Sequence, residues 1–378
     1  MKGKIINPFI TGGYIGPEYF CDRREESDRL LKAISSRRNV TLISLRRIGK
    51  TGLLKHVSHL MQQEQSSYSV IYADLMPTMN GNQMLNALSS ALIRLKRDEK
   101  NFFEKVLSLL STLRPRLSFD NLTGQPSIDL QVETPADIQF GLDNLLGFIS
   151  EIRHDIVFML DEFQQVSNYP EKNIEQMLRS IIQSHPSIPF IFSGSSRHML
   201  EPMFLSAGRP FYQSSELMYL DKIPGPEYCK FISRLFESGA RLINDKTLEL
   251  ILEWTRGHTF YVQYVCNLLF ETGQKVMDAD LVNHVFHRIL IDSEPLFSSY
   301  RSLIPSQQFK LLQALAMEEG VTQPMSGTFI RNHDLNSASS VAASLKALTE
   351  KEMIVKENDK WIVYDVFFAR WMEYNYRR

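Results

Sequence analysis

Apolar residues recur along the first two hundred positions in two alternating rhythms. Short runs rich in β-branched and leucine residues read as buried strands: Val40-Thr-Leu-Ile-Ser-Leu, Tyr68-Ser-Val-Ile-Tyr-Ala-Asp-Leu, Asp155-Ile-Val-Phe-Met-Leu and Ile188-Pro-Phe-Ile-Phe-Ser. Between them, apolar positions fall three and four apart, as in the set Leu53, Leu54, Val57, Leu60 and Met61 and the set Met84, Leu85, Leu88, Leu92 and Ile93. Such spacing predicts amphipathic helices there, and also over 21–36, 136–152 and 172–184. Strands alternating with helices predict an α/β fold with a parallel sheet covered on both faces. From about residue 97 to 135 the pattern is less regular. A helix over 103–113 and a hairpin turning at Leu122-Thr-Gly-Gln read as an insertion on this core.

The rhythm changes near Pro224. Helical spacing alone continues through 223–236, 245–254 and 260–271, interrupted by the Gly257-His258 turn. The last eighty residues are mixed, with helices expected over 307–318 and 337–351. A ribbon then turns at Glu357-Asn-Asp-Lys, and helices followed by a hairpin suggest a winged helix. The expected boundaries are 1–222 for the α/β core, 223–296 for a helical lid and 297–378 for the winged helix.

Composition adds limits. The chain has 378 residues, more than one ordinary core, so two or three domains are natural. With 43% hydrophobic and 22% charged residues it is a folding sequence, and its formal charge of −1 points to neither nucleic acid nor a membrane surface. Cys21, Cys229 and Cys266 lack the spacing of a zinc site or a disulfide framework. The basic N-terminal stretch is broken by Pro and Gly before any apolar run develops, and no stretch approaches the ~20 apolar residues of a membrane span. A cytoplasmic protein without a membrane partner is the expectation.

Candidate chemistry enters at the end of the first strand. Gly49-Lys50-Thr51 lies between that strand and an amphipathic helix, the context a phosphate-binding turn requires. Gly49 permits close backbone approach, Lys50 supplies a cation for β- and γ-phosphates, and Thr51 offers a hydroxyl to Mg2+. Arg47, Ile48 and Gly52 complete the stretch expected to wrap the phosphates. The full motif would carry glycine where Ser44 stands, and a side chain there is expected to strain the turn. Four apolar residues precede Asp161-Glu162 at another strand end, the edge where open α/β sheets bind ligands. Asp161 is the expected second Mg2+ ligand, and Glu162 the group that orients or deprotonates a water. The next strand ends in Ser193-Gly-Ser-Ser-Arg, offering Ser195, Ser196 and, less directly, Arg197 beside a γ-phosphate. Arg209 is a candidate arginine finger. These spacings define a Mg-nucleotide site without choosing between ATP and GTP.

Together the segments resemble the archaeal-type ATPases, P-loop proteins of the AAA+/STAND group. Leu45-Arg-Arg-Ile-Gly-Lys-Thr-Gly-Leu-Leu is similar to their Walker A signature GPRRVGKTSLL, Leu160-Asp-Glu-Phe-Gln to their Walker B run, and Ser193-Gly-Ser-Ser to their strand-end GSS. Asn7-Pro-Phe and Tyr19-Phe-Cys-Asp-Arg-Arg-Glu look like their N-terminal box, which implies that Phe20 and Arg23 border the adenine. Gly257-His-Thr-Phe-Tyr resembles their GHPYY turn, which implies that Gly257 and Thr259 lie near the base. Tyr364-Asp-Val-Phe-Phe-Ala-Arg-Trp resembles their closing segment. Leu45 and Thr259 stand where the family has proline. The resemblance implies an ATP hydrolase whose conformational change reaches a partner, with an oligomer open to it. The competing readings are a DNA-binding winged-helix regulator or mobile-element protein with a structural nucleotide site, and an inactive scaffold. From Arg301 onward ten basic residues face nine acidic ones, a thin charge for gripping DNA phosphates.

Overall fold

The computed structural model describes residues 7–63, 68–95, 100–119, 126–132, 134–151 and 155–377. They fall into two compact units, one spanning Gly13–Lys222 and the other Ile223–Arg378 together with the segment up to Gly12.

In the first unit the elements run α1 (Arg24–Ser35), β1 (Val40–Ser44), α2 (Lys50–Gln63), β2 (Tyr68–Asp74), α3 (Gly81–Leu95), α4 (Lys100–Leu109), β3 (Arg116–Phe119) and β4 (Pro126–Asp129). They continue with α5 (Pro135–Glu151), β5 (Asp155–Asp161), α6 (Ile174–Ser184), β6 (Phe190–Gly194), α7 (Arg197–Leu205) and β7 (Glu216–Leu220). Five strands form one parallel sheet in the order β2-β5-β6-β1-β7. All of β1 and β6, and all but the first residue of β5, are buried, so these strands read as continuous apolar runs rather than alternations. The sheet order brings the carboxyl ends of β1 and β5 to either side of β6 at one edge.

The fifth strand, β7, has no counterpart in the sequence reading. It lies at the sheet edge with only Met218 and Leu220 buried, too short an alternation to register. The insertion docks through α3. Ser90 Oγ accepts from the amide of Ile128 at 2.9 Å and Asn86 Oδ1 from that of Leu130 at 3.0 Å, closing one edge of β4. β3 and β4 pair antiparallel as the hairpin reading expects. Its turn at Leu122-Thr-Gly-Gln lies outside the described residues.

The second unit runs α8 (Gly225–Ser238), β8 (Leu242–Ile243), α9 (Asp245–Trp254), α10 (Thr259–Glu271), β9 (Val276–Met277) and α11 (Ala279–Leu303). It closes with α12 (Ser306–Met317), α13 (Gly327–Asn332), α14 (Ala338–Glu350), β10 (Ile354–Glu357), β11 (Lys360–Val363) and α15 (Val366–Tyr376). β8 and β9 pair in parallel inside what reads in sequence as purely helical, and α13 is a short extra helix; neither is long enough to show a period. β10 and β11 form the wing, and Trp361 bridges back to Val321.

Two features bear on the expected boundaries. The 296/297 division falls inside the continuous helix α11, and the helical module shares a core with the winged helix. Trp254 stacks on Phe286 at 4.0 Å, Tyr261 meets Phe367 at 4.6 Å, and Phe297 meets Phe368 at 5.2 Å. The segment 7–12 groups with this unit rather than with the sheet. Phe9 lies 4.5 Å from Phe236, ring to ring, and Asn7 and Asn267 each donate to the other segment's backbone. Such aromatic burial outweighs sequence proximity to α1. Among the described residues, no helix is long and apolar enough to cross a membrane.

Candidate functional site

The turn after β1 begins with Ser44, still a strand residue in register with Leu220. The left-handed backbone falls later, at Arg47 (φ 65°) and Gly49 (φ 100°). The expected strain at Ser44 is therefore absent, because the conformation that favours glycine is required three and five residues further on. Lys50 opens α2 at its positive end, and the Gly49 carbonyl accepts the amide of Leu53 at 2.9 Å.

Lys50 is buried at 5% exposure, and its ammonium lies 2.8 Å from Glu162 Oε1 and 3.0 Å from Asp161 Oδ1. The hydroxyl of Thr51 donates to Asp161 Oδ2 at 2.7 Å. Glu162 takes a left-handed conformation (φ 55°), turning the chain from β5 into a 3-10 helix over Phe163–Asn168. Phe163 anchors that helix, fully buried with its ring 4.6 Å from Phe192 and 5.3 Å from Phe211. A buried lysine between two carboxylates satisfies the rule that charges out of water are paired.

Ser195 donates to Glu162 Oε2 from its hydroxyl at 2.9 Å and its amide at 3.3 Å. Ser196 turns away and pairs with His198 Nδ1 at 3.2 Å. Arg46 Nε reaches Ser195 Oγ at 3.4 Å. Arg197 lies 3.8 Å from Asp221 and packs over the Tyr219 ring. Arg209 makes a two-pronged ion pair with Glu175 on α6 and donates to Ser167 Oγ at 3.2 Å. Its guanidinium is committed to those partners.

Phe20 stacks on His56 with ring centroids 4.3 Å apart, and a Cβ at Gly52 would lie 3.4 Å from its ring. Tyr14 completes the aromatic group, its hydroxyl 2.9 Å from His56 Nδ1. Burial, then the neighbouring His59, hold the His56 imidazole below its usual pKa. Arg23, 4% exposed, pairs with Glu26 at 2.8 Å and donates to the carbonyls of Asp221 at 2.6 Å and Ile48 at 3.4 Å. It ties the turn after β1 to the end of β7. Gly257 (φ 65°) and Thr259, the first residue of α10, belong to the other unit.

Four groups at the site were given no role by the sequence reading. Tyr72 donates to Asp161 Oδ2 at 3.0 Å, and Ser193 to Asp161 Oδ1 at 2.7 Å. Gln164 donates to Glu162 Oε2 at 2.6 Å, and Asp74 stands in register with Asp161 on the neighbouring strand. Ser193 and Gln164 lie within the strand-end run and the run similar to Walker B, but which carboxylate oxygen each meets depends on the strand order.

These contacts set the charges. Burial alone would raise the Asp161 carboxyl, but Lys50 and the hydrogen bonds from Ser193 and Thr51 bring it below the usual range. Burial is likewise overcome at Glu162 by Lys50 and then Gln164. Asp74 is pushed up by burial, opposed by the Met76 amide and reinforced by the Asp161 and Glu162 charges. The site holds two ionised carboxylates around one cation, with the Thr51 hydroxyl on Asp161.

A family model described as a probable winged helix domain matches residues 295–374. No curated protein matches the sequence. Among solved structures, the Walker-type ATPase PABY2304 of Pyrococcus abyssi aligns with a TM-score of 0.66 at 16% identity, over 97% of this chain and 99% of its own. The ORC2 protein of Aeropyrum pernix, solved as ADPNP-ADP complexes, gives 0.58 at 16% identity over 98% of each chain. The ORC1 protein of Aeropyrum pernix, in complex with DNA, gives 0.51 at 13% identity over 95% of this chain and 94% of its own. At these identities the likeness is one of fold. The chain shares with them an α/β core with a parallel sheet, followed by helices and a C-terminal winged helix.

Proposed function

We propose that the chain binds ATP with Mg2+ at the turn 47–52 and hydrolyses it, using the cycle to change conformation and signal to a partner. The observation that carries this reading is the convergence of Lys50, Thr51, Asp161 and Glu162 at one sheet edge, from segments 112 residues apart. Each supplies what phosphoryl transfer needs: a cation, a hydroxyl, a metal-binding carboxylate and a base.

The residues fit the ligands. Thr51 and Asp161 already share a hydrogen bond, so their oxygens can face one small cation, and Mg2+ commonly takes one or two protein oxygens with phosphate completing its shell. Bound there, Mg2+ would neutralise phosphate charge. Lys50 exchanges its carboxylate partners for the more highly charged phosphates. That exchange uncovers Glu162 Oε1, which accepts a proton from the water attacking the γ-phosphorus as the β–γ bridging bond breaks, yielding ADP and phosphate. Ser195 holds the same carboxylate from its other oxygen. The choice of ATP over GTP rests on the family resemblance.

The partner is read as protein rather than DNA. The exposed charges on the body of α14 are Lys346 and Glu350, which cancel, whereas DNA affinity rests on several cations facing phosphates. Phosphate release by wild type, Lys50→Ala and Glu162→Gln tests the catalytic reading. If wild-type protein with Mg2+ neither bound nor hydrolysed ATP, the proposal would fall. Salt-dependent duplex DNA binding by the full chain would favour the regulator reading instead.

A further inference from the structure

We infer that Gln164 is a positioning residue for hydrolysis, holding Glu162 Oε2 so that Oε1 faces the water. This rests on the ATPase reading above and deepens it.

Glu162 has two oxygens with different company. Oε1 accepts from Lys50 at 2.8 Å, a partner that ATP phosphates would draw away. Oε2 accepts from Gln164 Nε2 at 2.6 Å and from the hydroxyl and amide of Ser195. None of those three donors carries charge, so phosphate has less pull on them. Without Gln164 the carboxylate would hang on one residue and could rotate about its last torsion, a soft one for glutamate. Catalysis by a base depends on its placement to within a fraction of an ångström, and misplacement costs up to about 100-fold.

The surroundings are built to hold Gln164 in place. Its side chain is 5% exposed, and the 3-10 helix that carries it is pinned by Phe163 in the aromatic cluster. Its Oε1 is buried with no hydrogen-bond partner, a cost that the outward contact of its Nε2 offsets. The glutamine also requires a glycine opposite. A Cβ at Gly194 would lie 2.0 Å from Gln164 Oε1, and 3.0 Å from the flexible end of Leu200. Gly194 is thus the residue that makes room for the amide between β6 and Glu162.

The test is a double-mutant cycle on the full chain, with kcat and KM for ATP and binding of a fluorescent ATP analogue measured for each variant. Gln164→Met, similar in length but without a donor, should lower kcat by roughly 10- to 100-fold with KM and analogue binding unchanged. Gly194→Ala should reproduce that loss by pushing the amide aside. In a Gln164→Ala background, where only the flexible end of Leu200 must give way, Gly194→Ala should cost little further. Equal kcat in wild type and Gln164→Met would overturn the inference while leaving the ATPase reading intact. So would additive losses in the cycle, or loss of analogue binding together with turnover, since either assigns Gln164 a structural role. Binding without phosphate release in wild type would remove hydrolysis itself, and the positioning role with it.

Discussion

The ammonium of Lys50 lies 2.8 Å from the carboxylate of Glu162, so the candidate phosphate-binding cation and the candidate base hold each other. Substituting the lysine therefore has two effects. Lys50→Ala should abolish tight ATP binding and also leave buried Asp161 and half-buried Glu162 facing each other as like charges. Breaking a buried pair of this kind typically costs about 3–5 kcal/mol, a figure reduced here because Glu162 is partly exposed. Urea unfolding without nucleotide should show the lost stability, and an unchanged midpoint would contradict the pairing.

Glu162→Gln should separate binding from turnover. The amide keeps the size and accepts from Ser195, but cannot take a proton. Steady-state phosphate release should fall by about 100-fold or more while ATP affinity stays within a few-fold of wild type. Turnover near the wild-type rate would remove Glu162 from its role.

Acid should weaken the fold through the same carboxylates. Both lie below their usual values in the folded chain, against about 4 in an unfolded one. Their contribution is complete above the unfolded value and is lost as pH falls through the lower folded values. Unfolding midpoints measured from pH 6 down to 3 should decline, and the Asp161→Asn variant should decline less steeply than wild type.

Ser44→Gly, which would restore the motif's glycine, should not speed turnover. Ser44 is a strand residue whose backbone is not left-handed, so glycine relieves no strain there. Its extra freedom in the unfolded chain should instead cost about 0.5–1 kcal/mol. A markedly higher kcat in this variant would show that the serine side chain obstructs the site.

Arg23→Lys should behave like a loss rather than a conservative change. The guanidinium donates to Asp221 and Ile48 carbonyls while pairing with Glu26, a geometry that an ammonium cannot match. A drop of about 1–3 kcal/mol in stability, seen as a lower melting temperature, is the expected result.

Much of this was legible in the linear chain. Short continuous apolar runs located four of the five strands of the sheet and period-3.6 spacing the helices between them, and Gly49-Lys50-Thr51 and Asp161-Glu162 lie at strand ends that local sequence predicts. Local chemistry suffices where a residue acts through its own backbone neighbourhood: a glycine in a turn, a hydroxyl at a helix start. It also identified Ser195 as a candidate, although only the structure separates it from Ser196, which turns to His198.

The rest depended on strand order. Asp161 receives Tyr72 from β2 and Ser193 from β6 because β5 lies between those two strands, an arrangement set by crossover connections and not by any nearby residue. Gln164 reaches Glu162 because Gly194, on the neighbouring strand, leaves space for its amide. In the same way Arg23 and Arg209, each expected near the nucleotide, were assigned partners by burial and by the helices packed against them. The sequence by itself determined which chemistry could be present and at which strand ends. Tertiary structure alone decided which side chains meet, because those distances arise from packing between segments that the chain keeps far apart.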